Sequence, residues 1–472
     1  MESINIQTLA QWCGGRLLQG DSSAQTTSVS TDSRTIASGE LFVALQGDHF
    51  DGSRFLADAV ARGAVGAVVA KASSLAAGVP ARFALIQVAD TLAAFQKMAA
   101  AYRRSLPLKV VAITGSNGKT STKDFTAAVL AERFRVVKTE GNFNNHIGLP
   151  QTILRASGTD RIGVFELGMN HPGEIEPLAK IAAPDVGIIT NVGTAHIGNM
   201  GSRDAIAKEK GMLAEAIGEA GHLVLNADDE FSKSIAARTR AHVVFAGIGC
   251  GDVRVTEIRP QPEGSRFTLQ AGGESVESWL GVPGVHMIQN ATLAVAAGRI
   301  FGLTLSECAL GLQKTRFAKG RLEAKTVGGI RFLDDSYNAN PDSMLVAIRT
   351  LMQMPDCVRR IAVLGQMNEL GNETGSGHRQ VGEAAAREGV HCLITVGELA
   401  RQIGVAAREG GVGKTLNAET VEEAAGMLRK IARTGDVVLV KGSRGARMER
   451  VIEAFANAPA EASSPNPDTG KP

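Results

Sequence analysis

A short glycine-rich stretch, Thr114 to Ser121, constrains the fold more than any other part of this sequence. It reads Thr-Gly-Ser-Asn-Gly-Lys-Thr-Ser. Residues 108–113 are mostly apolar and rich in valine and isoleucine, which predicts a buried strand, and residues 120–132 contain no proline or glycine and have helical spacing. A strand, a glycine-rich turn and a helix in this order are typical of a phosphate-binding loop. The stretch therefore predicts an α/β domain built around a nucleotide site.

The residue types of this stretch suit phosphate chemistry. Glycines let backbone N–H groups approach phosphate closely, and the following helix N-terminus favours an anion. Lys119 would neutralise the terminal phosphates, and the Thr120 hydroxyl would bind Mg²⁺. The common pattern has a further glycine where Ile113 stands, so a plain surface turn with a lysine is the alternative. The predicted nucleotide-binding residues are Gly115, Ser116, Asn117, Gly118, Lys119, Thr120 and Ser121.

The size and composition of the chain limit its function. A chain of 472 residues is too long for one ordinary core and predicts two or three domains. A net charge of +2 and an aromatic content of 4% argue against nucleic-acid or membrane-surface partners. No stretch is apolar enough to span a bilayer, and no secretory signal is visible, so we expect a cytoplasmic protein. Five scattered cysteines without a Cys-x-x-Cys pair predict reduced, buried thiols.

Residues 1–106 precede the glycine-rich stretch and have the pattern of a small α/β module. The turn from Ser30 to Arg34 follows a strand-like run rich in threonine and serine, and residues 39–48 alternate turn, strand and turn. The turn contains Asp32, Ser33 and Arg34, which form either a polar binding loop or a solvated turn.

Polar residues follow two further predicted strands. Residues 139–150 contain three asparagines, two glycines and a proline, which exclude a regular element and favour a polar binding loop beside the phosphate loop. Glu166 lies near the carboxyl end of the strand predicted over 161–170, where ligands of parallel sheets gather. Burying a carboxylate is costly unless it is paired or metal-bound. We interpret Glu166 as a Mg²⁺ ligand, with a structural salt bridge as the alternative.

Cationic side chains lie close to this predicted metal site. His196 follows the next strand, and it either binds a second Mg²⁺, contacts phosphate or is a plain surface residue. A helix predicted over 202–216 carries Lys208 and Lys210. Like charges repel near a metal, so these lysines either face solvent or one of them is modified.

The remaining segments predict a long helix and a second parallel sheet. Residues 284–290 open an alanine-rich helix in which Asn290 would read adenine or cap the helix. Strands predicted over 330–336, 360–365 and 436–440 alternate with helices, which is typical of a mostly parallel sheet. Pro341 is predicted to start the helix after the first of these strands. Residues beyond about 457 are rich in proline and serine and predict a disordered tail.

Taken in order, these motifs resemble those of the Mur ligase family, the ATP-dependent amide-forming enzymes of peptidoglycan precursor synthesis. The resemblance runs from residue 1 to about 456, and the family lacks the extra glycine at Ile113. It implies an α/β fold of three domains: a small N-terminal α/β substrate domain, a central P-loop sheet that is mostly parallel, and a C-terminal Rossmann-like α/β domain. The expected boundaries are 1–106, 107–315 and 316–456, followed by a tail at 457–472. The motifs are Thr-Gly-Ser-Asn-Gly-Lys-Thr, Glu-Leu-Gly, Thr-Asn-x-x-x-x-His, Gly-x-His-x-x-x-Asn and Asp-Asp-Ser-Tyr-Asn-Ala-Asn-Pro.

The loops at 141–150, 166–175, 335–341 and 440–444 are similar to those of the dipeptide-adding member of the family. The resemblance implies that ATP, D-alanyl-D-alanine and UDP-N-acetylmuramoyl-tripeptide react through an acyl phosphate. It also implies two Mg²⁺ ions as cofactors and a monomeric enzyme. A ligase that adds diaminopimelate or glutamate, a folylpolyglutamate-type enzyme, and a P-loop switch or transport ATPase remain alternatives.

The resemblance also implies roles for individual residues. Lys119, Lys210, His196 and Arg321 would be catalytic, and Lys210 would carry a CO₂-derived carbamate. Thr120, Glu166, His196 and Lys210 would bind the metals. Asn290, Arg321, Asp335 and Tyr337 would complete the ATP site. The substrate-binding residues would be Ser30, Asp32, Ser33, Arg34, Asp48, Asn144, Asn145, Asn338, Lys441, Ser443 and Arg444.

Overall fold

The computed structural model describes residues 1–47, 50–70 and 79–457. Contacts divide the chain into two compact units. The first contains Met1–Gly281 and Val285–Ala318, and the second contains Val282–Gly284 and the described residues from Lys319 onward. No helix within the described residues is long and apolar enough to cross a membrane.

The N-terminal part of the first unit contains a mainly parallel sheet with the strand order β2-β9-β8-β5-β4, in which only β2 is antiparallel to its neighbour. The elements are β1 (Ile4–Asn5), α1 (Ile6–Cys13), β2 (Arg16–Gln19), β3 (Gln25–Thr26), β4 (Val29–Ser30), β5 (Leu41–Val43), β6 (Gln46–Gly47), β7 (Phe50–Asp51), α2 (Leu56–Ala61), β8 (Gly66–Val69), β9 (Ala84–Gln87) and α3 (Thr91–Ser105).

The rest of the first unit contains the sheet that carries the glycine-rich stretch. Its strand order is β11-β12-β10-β13-β14-β15-β16-β17-β18. The elements are β10 (Lys109–Thr114), α4 (Lys119–Leu130), β11 (Val136–Lys138), α5 (Gly148–Ile153), β12 (Ile162–Glu166), α6 (Ile175–Ala182), β13 (Val186–Ile189), α7 (Ile197–Met200), α8 (Arg203–Lys210), α9 (Met212–Glu215), β14 (His222–Asn226), α10 (Ser232–Ala236), β15 (His242–Ile248), β16 (Val253–Gln261), β17 (Gly264–Ala271), β18 (Glu274–Leu280), α11 (Val285–Ile300) and α12 (Leu305–Gln313).

The strands from β11 to β16 run parallel, whereas β17 and β18 continue the sheet as an antiparallel meander. Parallel strands bring their carboxyl ends to one edge, so the loops after β10, β12 and β13 lie together there. The sequence analysis predicted the parallel part and did not predict the meander.

A shared apolar core joins the two sheet regions of the first unit. Side chains of α1 and α3 belong to the same buried cluster as those of β10, α5 and α6. The buried Tyr102 hydroxyl donates to the Ala156 carbonyl (2.6 Å) and accepts the Glu2 N–H (2.8 Å). The domain boundary expected after residue 106 falls in the short connection between α3 and β10, and it stays a prediction.

The second unit has a sheet of order β19-β20-β24-β21-β22-β23, parallel except for β19. The helix predicted to start at Pro341 is confirmed, with Asn340 as its N-cap. The elements are β19 (Glu323–Val327), β20 (Ile330–Asp335), α13 (Pro341–Gln353), β21 (Arg360–Gly365), α14 (Thr374–Arg387), β22 (Cys392–Val396), α15 (Arg401–Glu409), β23 (Lys414–Ala418), α16 (Val421–Ile431), β24 (Val437–Lys441) and α17 (Glu449–Asn457).

The single helix expected over 202–216 is wrong. The segment forms two helices, α8 and α9, which meet at Gly211. The guanidinium of Arg238 donates to the carbonyls of Ala207 (3.3 Å) and Lys208 (2.7 Å) and thereby satisfies the end of α8. A Cβ atom at Gly211 would lie 1.9 Å from Arg238 Nη1, so only glycine leaves room for this cap.

The cysteines are only partly as expected. All five are free thiols, and Cys13, Cys308 and Cys392 are buried. Cys250 is exposed and Cys357 is half-buried, which corrects the expectation that all five are interior side chains. The tail predicted after residue 457 lies outside the described residues.

Candidate active site

The glycine-rich loop joins β10 to α4 and has two glycines that no other residue could replace without displacing a neighbour. A Cβ atom at Gly115 would lie 1.8 Å from Thr190 Oγ1, and one at Gly118 would lie 2.4 Å from Asn290 Oδ1. Gly118, with φ of +81°, precedes the first helical residue, Lys119. The loop backbone is therefore packed closely against the ends of β13 and α11.

The loop is held by two polar residues at the carboxyl end of β13. The backbone N–H groups of Ser116 and Asn117 donate to the backbone and side-chain oxygens of Asn191, both at 2.9 Å. The Thr190 hydroxyl donates to the Asn117 carbonyl (2.6 Å). Sequence analysis gave Thr190 and Asn191 no role, although polar residues at the end of the strand beside β10 are a usable signal.

Cationic and hydroxyl groups line this loop. Lys119 Nζ donates to the carbonyls of Gly115 (2.7 Å) and Ser116 (3.2 Å), so the ammonium lies over the loop. The Ser116 hydroxyl is buried and has no hydrogen-bond partner among the described residues. Ser121 is buried in the first turn of α4. A loop with glycines, a lysine and the start of a helix suits a polyphosphate.

Three predicted site residues meet at the carboxyl end of β12. The Thr120 hydroxyl donates to Glu166 Oε2 (2.8 Å), and Asn144 Nδ2 donates to Glu166 Oε1 (2.8 Å). Glu166 is 3% exposed, and no basic side chain pairs with it in the described part of the chain, which disfavours the salt-bridge alternative. A carboxylate beside a threonine hydroxyl is a set of hard oxygen donors, which fits Mg²⁺.

The asparagines of the 139–150 loop have separate tasks. Asn144 contacts Glu166, and its carbonyl accepts the Gly168 N–H (2.8 Å). The Asn145 side chain accepts the N–H groups of Ile147 (3.1 Å) and Gly148 (2.9 Å) at the start of α5. Residues 148–150 therefore belong to a helix, which corrects the expectation that the whole 139–150 stretch is irregular. The loop is therefore ordered around Glu166, and a direct contact of either asparagine with substrate stays a prediction.

Lys210 is a buried lysine at the last position of α8, and it is 1% exposed. Burial lowers its pKa well below the ordinary value, the charge of Lys119 acts in the same direction, and Glu209 opposes both. Glu209 is the acidic group that acts on its ammonium, and its effect is smaller than those of burial and of Lys119. Lys208 is exposed, so the structure separates the two lysines that the sequence placed together.

Glu209 does not pair with Lys210, because its carboxylate is used elsewhere. Its two oxygens accept the N–H groups of Gly173 (2.9 Å) and Ile175 (2.8 Å). These bonds tie the helix that carries Lys210 to the loop that follows Glu166. Sequence analysis assigned no role to Glu209, and a glutamate flanked by two lysines gives little signal of burial.

His196 lies in the loop between β13 and α7, with φ of +62°. Positive φ is uncommon for a non-glycine residue and often marks a functional turn. Within the described ranges, no group of three or more His, Cys, Asp or Glu side chains is arranged to hold a metal ion. The predicted metal set contains two such residues, Glu166 and His196, and a metal contact of His196 stays a prediction.

Asn290 lies in the first part of α11 and is 5% exposed. Its side chain packs on Gly118, so it adjoins the start of α4. The capping alternative does not hold, since Asn290 lies inside α11. Contact with adenine stays a prediction.

In the second unit, Asp335 and Lys441 form an ion pair at the carboxyl ends of the neighbouring strands β20 and β24. Their side chains approach to 2.6 Å, and Lys441 Nζ also donates to the Asn338 carbonyl (2.9 Å). Burial raises the pKa of Asp335, while Lys441 and Arg321 act in the opposite direction. Two separate sequence motifs, at 334–341 and 440–444, are thus brought together.

Two arginines of the same unit lie near the aromatic ring of Tyr337. The Arg321 guanidinium carbon is 4.2 Å from the ring centroid, and that of Arg444 is 6.0 Å away. Ser443 is 2% exposed, and its hydroxyl has no hydrogen-bond partner among the described residues. A buried hydroxyl beside cationic groups suits a carboxylate or phosphate ligand.

The predicted substrate turn in the N-terminal region is well ordered. Arg34 makes a two-pronged contact with Asp32 through Nε (2.9 Å) and Nη2 (2.7 Å), and the pKa of Asp32 falls to about 2 because of these hydrogen bonds. The Ser30 hydroxyl accepts the Asp32 N–H (3.1 Å), and Ser33 is buried. The solvated-turn alternative agrees with this geometry as well as substrate binding does. Asp48 lies outside the described residues.

Comparison with known families agrees with this geometry. Residues 25–103 match the Mur ligase family, catalytic domain. Residues 113–298 match the Mur ligase middle domain, and residues 320–444 match the Mur ligase, glutamate ligase domain. The matched segments lie in the regions of the three main sheets described above.

Individual relatives match over almost their whole length. The UDP-N-acetylmuramoyl-tripeptide–D-alanyl-D-alanine ligase of Escherichia coli (strain K12) is 36% identical, over 96% of this chain and 99% of the relative. The crystal structure of MurF from Acinetobacter baumannii has a TM-score of 0.88 and 33% identity, over 97% of this chain and 100% of that one. The crystal structure of the MurF ligase from Thermotoga maritima in complex with ADP has a TM-score of 0.82 and 28% identity, over 91% of this chain and 96% of that one. This chain belongs to the Mur ligase family.

Proposed function

We propose that this protein is an ATP-dependent ligase that adds D-alanyl-D-alanine to UDP-N-acetylmuramoyl-tripeptide and so forms the pentapeptide precursor of peptidoglycan. The observation that carries the proposal is the phosphate loop ending in Lys119 and Thr120, with Glu166 hydrogen-bonded to Thr120. It occurs in a chain that is similar, over nearly its whole length, to ligases of that name.

The reaction requires activation, because a carboxylate is a poor acceptor for an amine. The terminal carboxylate of the tripeptide attacks the γ-phosphorus of ATP, which gives an acyl phosphate and releases ADP. The amine of D-alanyl-D-alanine then attacks the acyl carbon and loses a proton, and the tetrahedral intermediate expels phosphate. In the phosphoryl step, Lys119 and Arg321 offset the charge that builds on the transferred group.

The proposed metal ligands are the residues that fit a hard cation. Thr120, Glu166, His196 and modified Lys210 would hold Mg²⁺, with two ions expected. Bound Mg²⁺ supplies charge neutralisation for phosphate oxygens and a template for their alignment. Asn144 orients the Glu166 carboxylate through the hydrogen bond from its amide nitrogen.

Lys210 is the candidate for modification by CO₂. Its neutral amine attacks the carbon of CO₂, a C–N bond forms and a proton leaves, so that a cation becomes a carbamate anion. Its burial and its lowered pKa favour the neutral amine that this step requires. The anion then offsets the repulsion from Lys119 and can approach Mg²⁺.

The second unit supplies the other ligand contacts. Tyr337 and Asp335 pack around ribose and base, Asn290 of the first unit contacts adenine, and Arg321 reaches the γ-phosphate. Lys441, Ser443 and Arg444 with Asn338 bind the incoming dipeptide carboxylate, for which the unpartnered Ser443 hydroxyl is the clearest support. Asn144 and Asn145 contribute to the tripeptide site. We further propose a cytoplasmic monomer with domains 1–106, 107–315 and 316–456.

A panel of amino donors tests the proposed reaction. With UDP-N-acetylmuramoyl-tripeptide and ATP, phosphate release is expected with D-alanyl-D-alanine and not with D-glutamate or meso-diaminopimelate. The measurement is phosphate release together with the mass of the UDP product. Turnover with a single amino acid and none with the dipeptide would assign the chain to another ligase of the same fold. ATP hydrolysis that needs no UDP substrate would favour a P-loop switch or transport ATPase.

Substitution of the N-terminal turn tests the UDP site. Asp32→Ala and Arg34→Ala are expected to weaken binding of the UDP substrate about 10-fold. Each variant removes a charge-assisted hydrogen bond, either to the ligand or to the other residue of the Asp32–Arg34 pair. Isothermal titration measures this, and affinity for an ATP analogue should not change. Arg16→Ala, at an exposed position of the same region, is the control. An equal loss for both ligands would indicate misfolding and not a contact with the UDP substrate.

A further inference from the structure

Another buried lysine, Lys123, lies on α4 one turn after Thr120. Its side chain is 4% exposed, and its ammonium donates to the Thr139 carbonyl at 2.8 Å and lies 3.1 Å from Asp124 Oδ1. Removing an ammonium from water is costly, and an apolar side chain of similar volume is often neutral or stabilising at such a place. Local stability therefore does not explain a lysine here.

The partner of Lys123 leads directly to Glu166. Thr139 follows β11 and is fully buried, and its hydroxyl accepts the backbone N–H of Glu166 at 3.0 Å. The backbone N–H of Thr139 donates to the Val164 carbonyl at 3.0 Å, which fixes Thr139 beside β12. The contacts run without a gap from the Lys123 ammonium through Thr139 to the Glu166 backbone.

Glu166 is thus tied to α4 twice, by its carboxylate through Thr120 and by its backbone through Thr139 and Lys123. We propose that Lys123 is a positioning residue that fixes Glu166 at the distance and angle at which its carboxylate binds Mg²⁺. The proposal rests on the proposed function, in which Glu166 is a metal ligand. Second contacts of this kind commonly determine how well a ligand is oriented.

The chain offers a matched pair of substitutions. Asp124 contacts two lysines, Lys123 at 3.1 Å and Lys138 at 2.6 Å. Lys123→Met and Lys138→Met each remove one cation next to Asp124 and leave it with a partner, but only Lys123→Met removes the bond to Thr139. Loss of a nearby positive charge would by itself strengthen binding of a cation. A weaker affinity for the cation in Lys123→Met, but not in Lys138→Met, would therefore be opposite to the effect of simply losing a positive charge.

The experiment measures Mn²⁺ affinity by electron paramagnetic resonance, with a non-hydrolysable ATP analogue present. Lys123→Met is expected to weaken Mn²⁺ binding about 10-fold, and Lys138→Met to leave it unchanged or slightly tighter. Wild-type Mn²⁺ affinity in Lys123→Met, or equal weakening in both variants, would overturn the proposal. Thr139→Val breaks the same route at its next step, so it gives an independent test if Lys123→Met does not fold.

Two further variants complete the design. If Lys123 acts through Thr139, the double variant Lys123→Met/Thr139→Val loses no more Mn²⁺ affinity than whichever single variant binds Mn²⁺ less tightly. Additive losses of affinity would contradict that route. Glu166→Gln separates this proposal from the proposed function. Normal Mn²⁺ affinity in Glu166→Gln would overturn the metal assignment itself. Weak binding in Glu166→Gln with normal binding in Lys123→Met would overturn only the role of Lys123.

Discussion

Lys119→Ala is expected to lower the rate of amide formation by at least about 1,000-fold, because the substitution removes a cation from the phosphate loop during phosphoryl transfer. The ammonium lies over the loop in this structure, at 2.7 Å from the Gly115 carbonyl, so it is within reach of any phosphate bound there. The measurement is phosphate release and formation of the UDP product under saturating substrates.

The matched control is Lys109→Ala, at the opposite end of the same strand. Among the described residues, the Lys109 side chain makes an exposed ion pair with Asp185 (2.7 Å), which contributes little, so the variant should retain wild-type turnover. Both variants should keep the wild-type affinity for the UDP substrate. Ligation by Lys119→Ala above about a tenth of the wild-type rate would mean that this loop is not the catalytic phosphate site.

Lys210→Ala is expected to reduce turnover by about 1,000-fold, since it removes the anion that the carbamate would supply to the metal site. A short carboxylic acid such as formate should restore part of the activity, because it brings an anion into the space left by the buried side chain. Wild-type protein labelled with ¹³CO₂ should show a carbamate signal in ¹³C NMR, and the signal should be absent from Lys210→Ala.

Lys208→Ala is the matched control for this variant, two residues earlier on the same helix and exposed. It should keep full activity and the carbamate signal. Near-normal turnover by Lys210→Ala without added acid would refute the carbamate. Loss of activity in both variants, together with a lower melting temperature, would indicate damage to α8.

Much of the fold followed from local patterns. The strand before the phosphate loop, the helix after it and the start of α13 at Pro341 depend on apolar spacing, glycine and proline, which are readable in a single sequence. The single helix expected over 202–216 failed, because Arg238 is distant in sequence and caps α8 from outside. The antiparallel meander of β17 and β18 also escaped prediction, since alternation alone does not say which sheet a strand joins.

The candidate site was predictable where a residue type is unusual for its position. Glu166 in an apolar strand and Lys119 after a glycine are such cases. Thr190 and Asn191 belong to the Thr-Asn-x-x-x-x-His motif but received no role, although polar residues at the end of the strand beside β10 were a usable signal. Glu209 and Lys123 were missed, because each acts through contacts with a backbone group far away in the sequence. A hydrogen bond to a carbonyl or an N–H leaves no trace in residue type.

The sequence by itself determined the α/β class, the phosphate loop and the family, because these depend on the order and spacing of short motifs along the chain. Only the tertiary structure decided which of two lysines on one helix is buried, and that Glu209, which lies between them, holds two backbone N–H groups. It also decided that Glu166 faces Thr120 and not a basic side chain. Burial and pairing are properties of contacts between distant segments, and they are fixed when the strands align at one edge of the sheet.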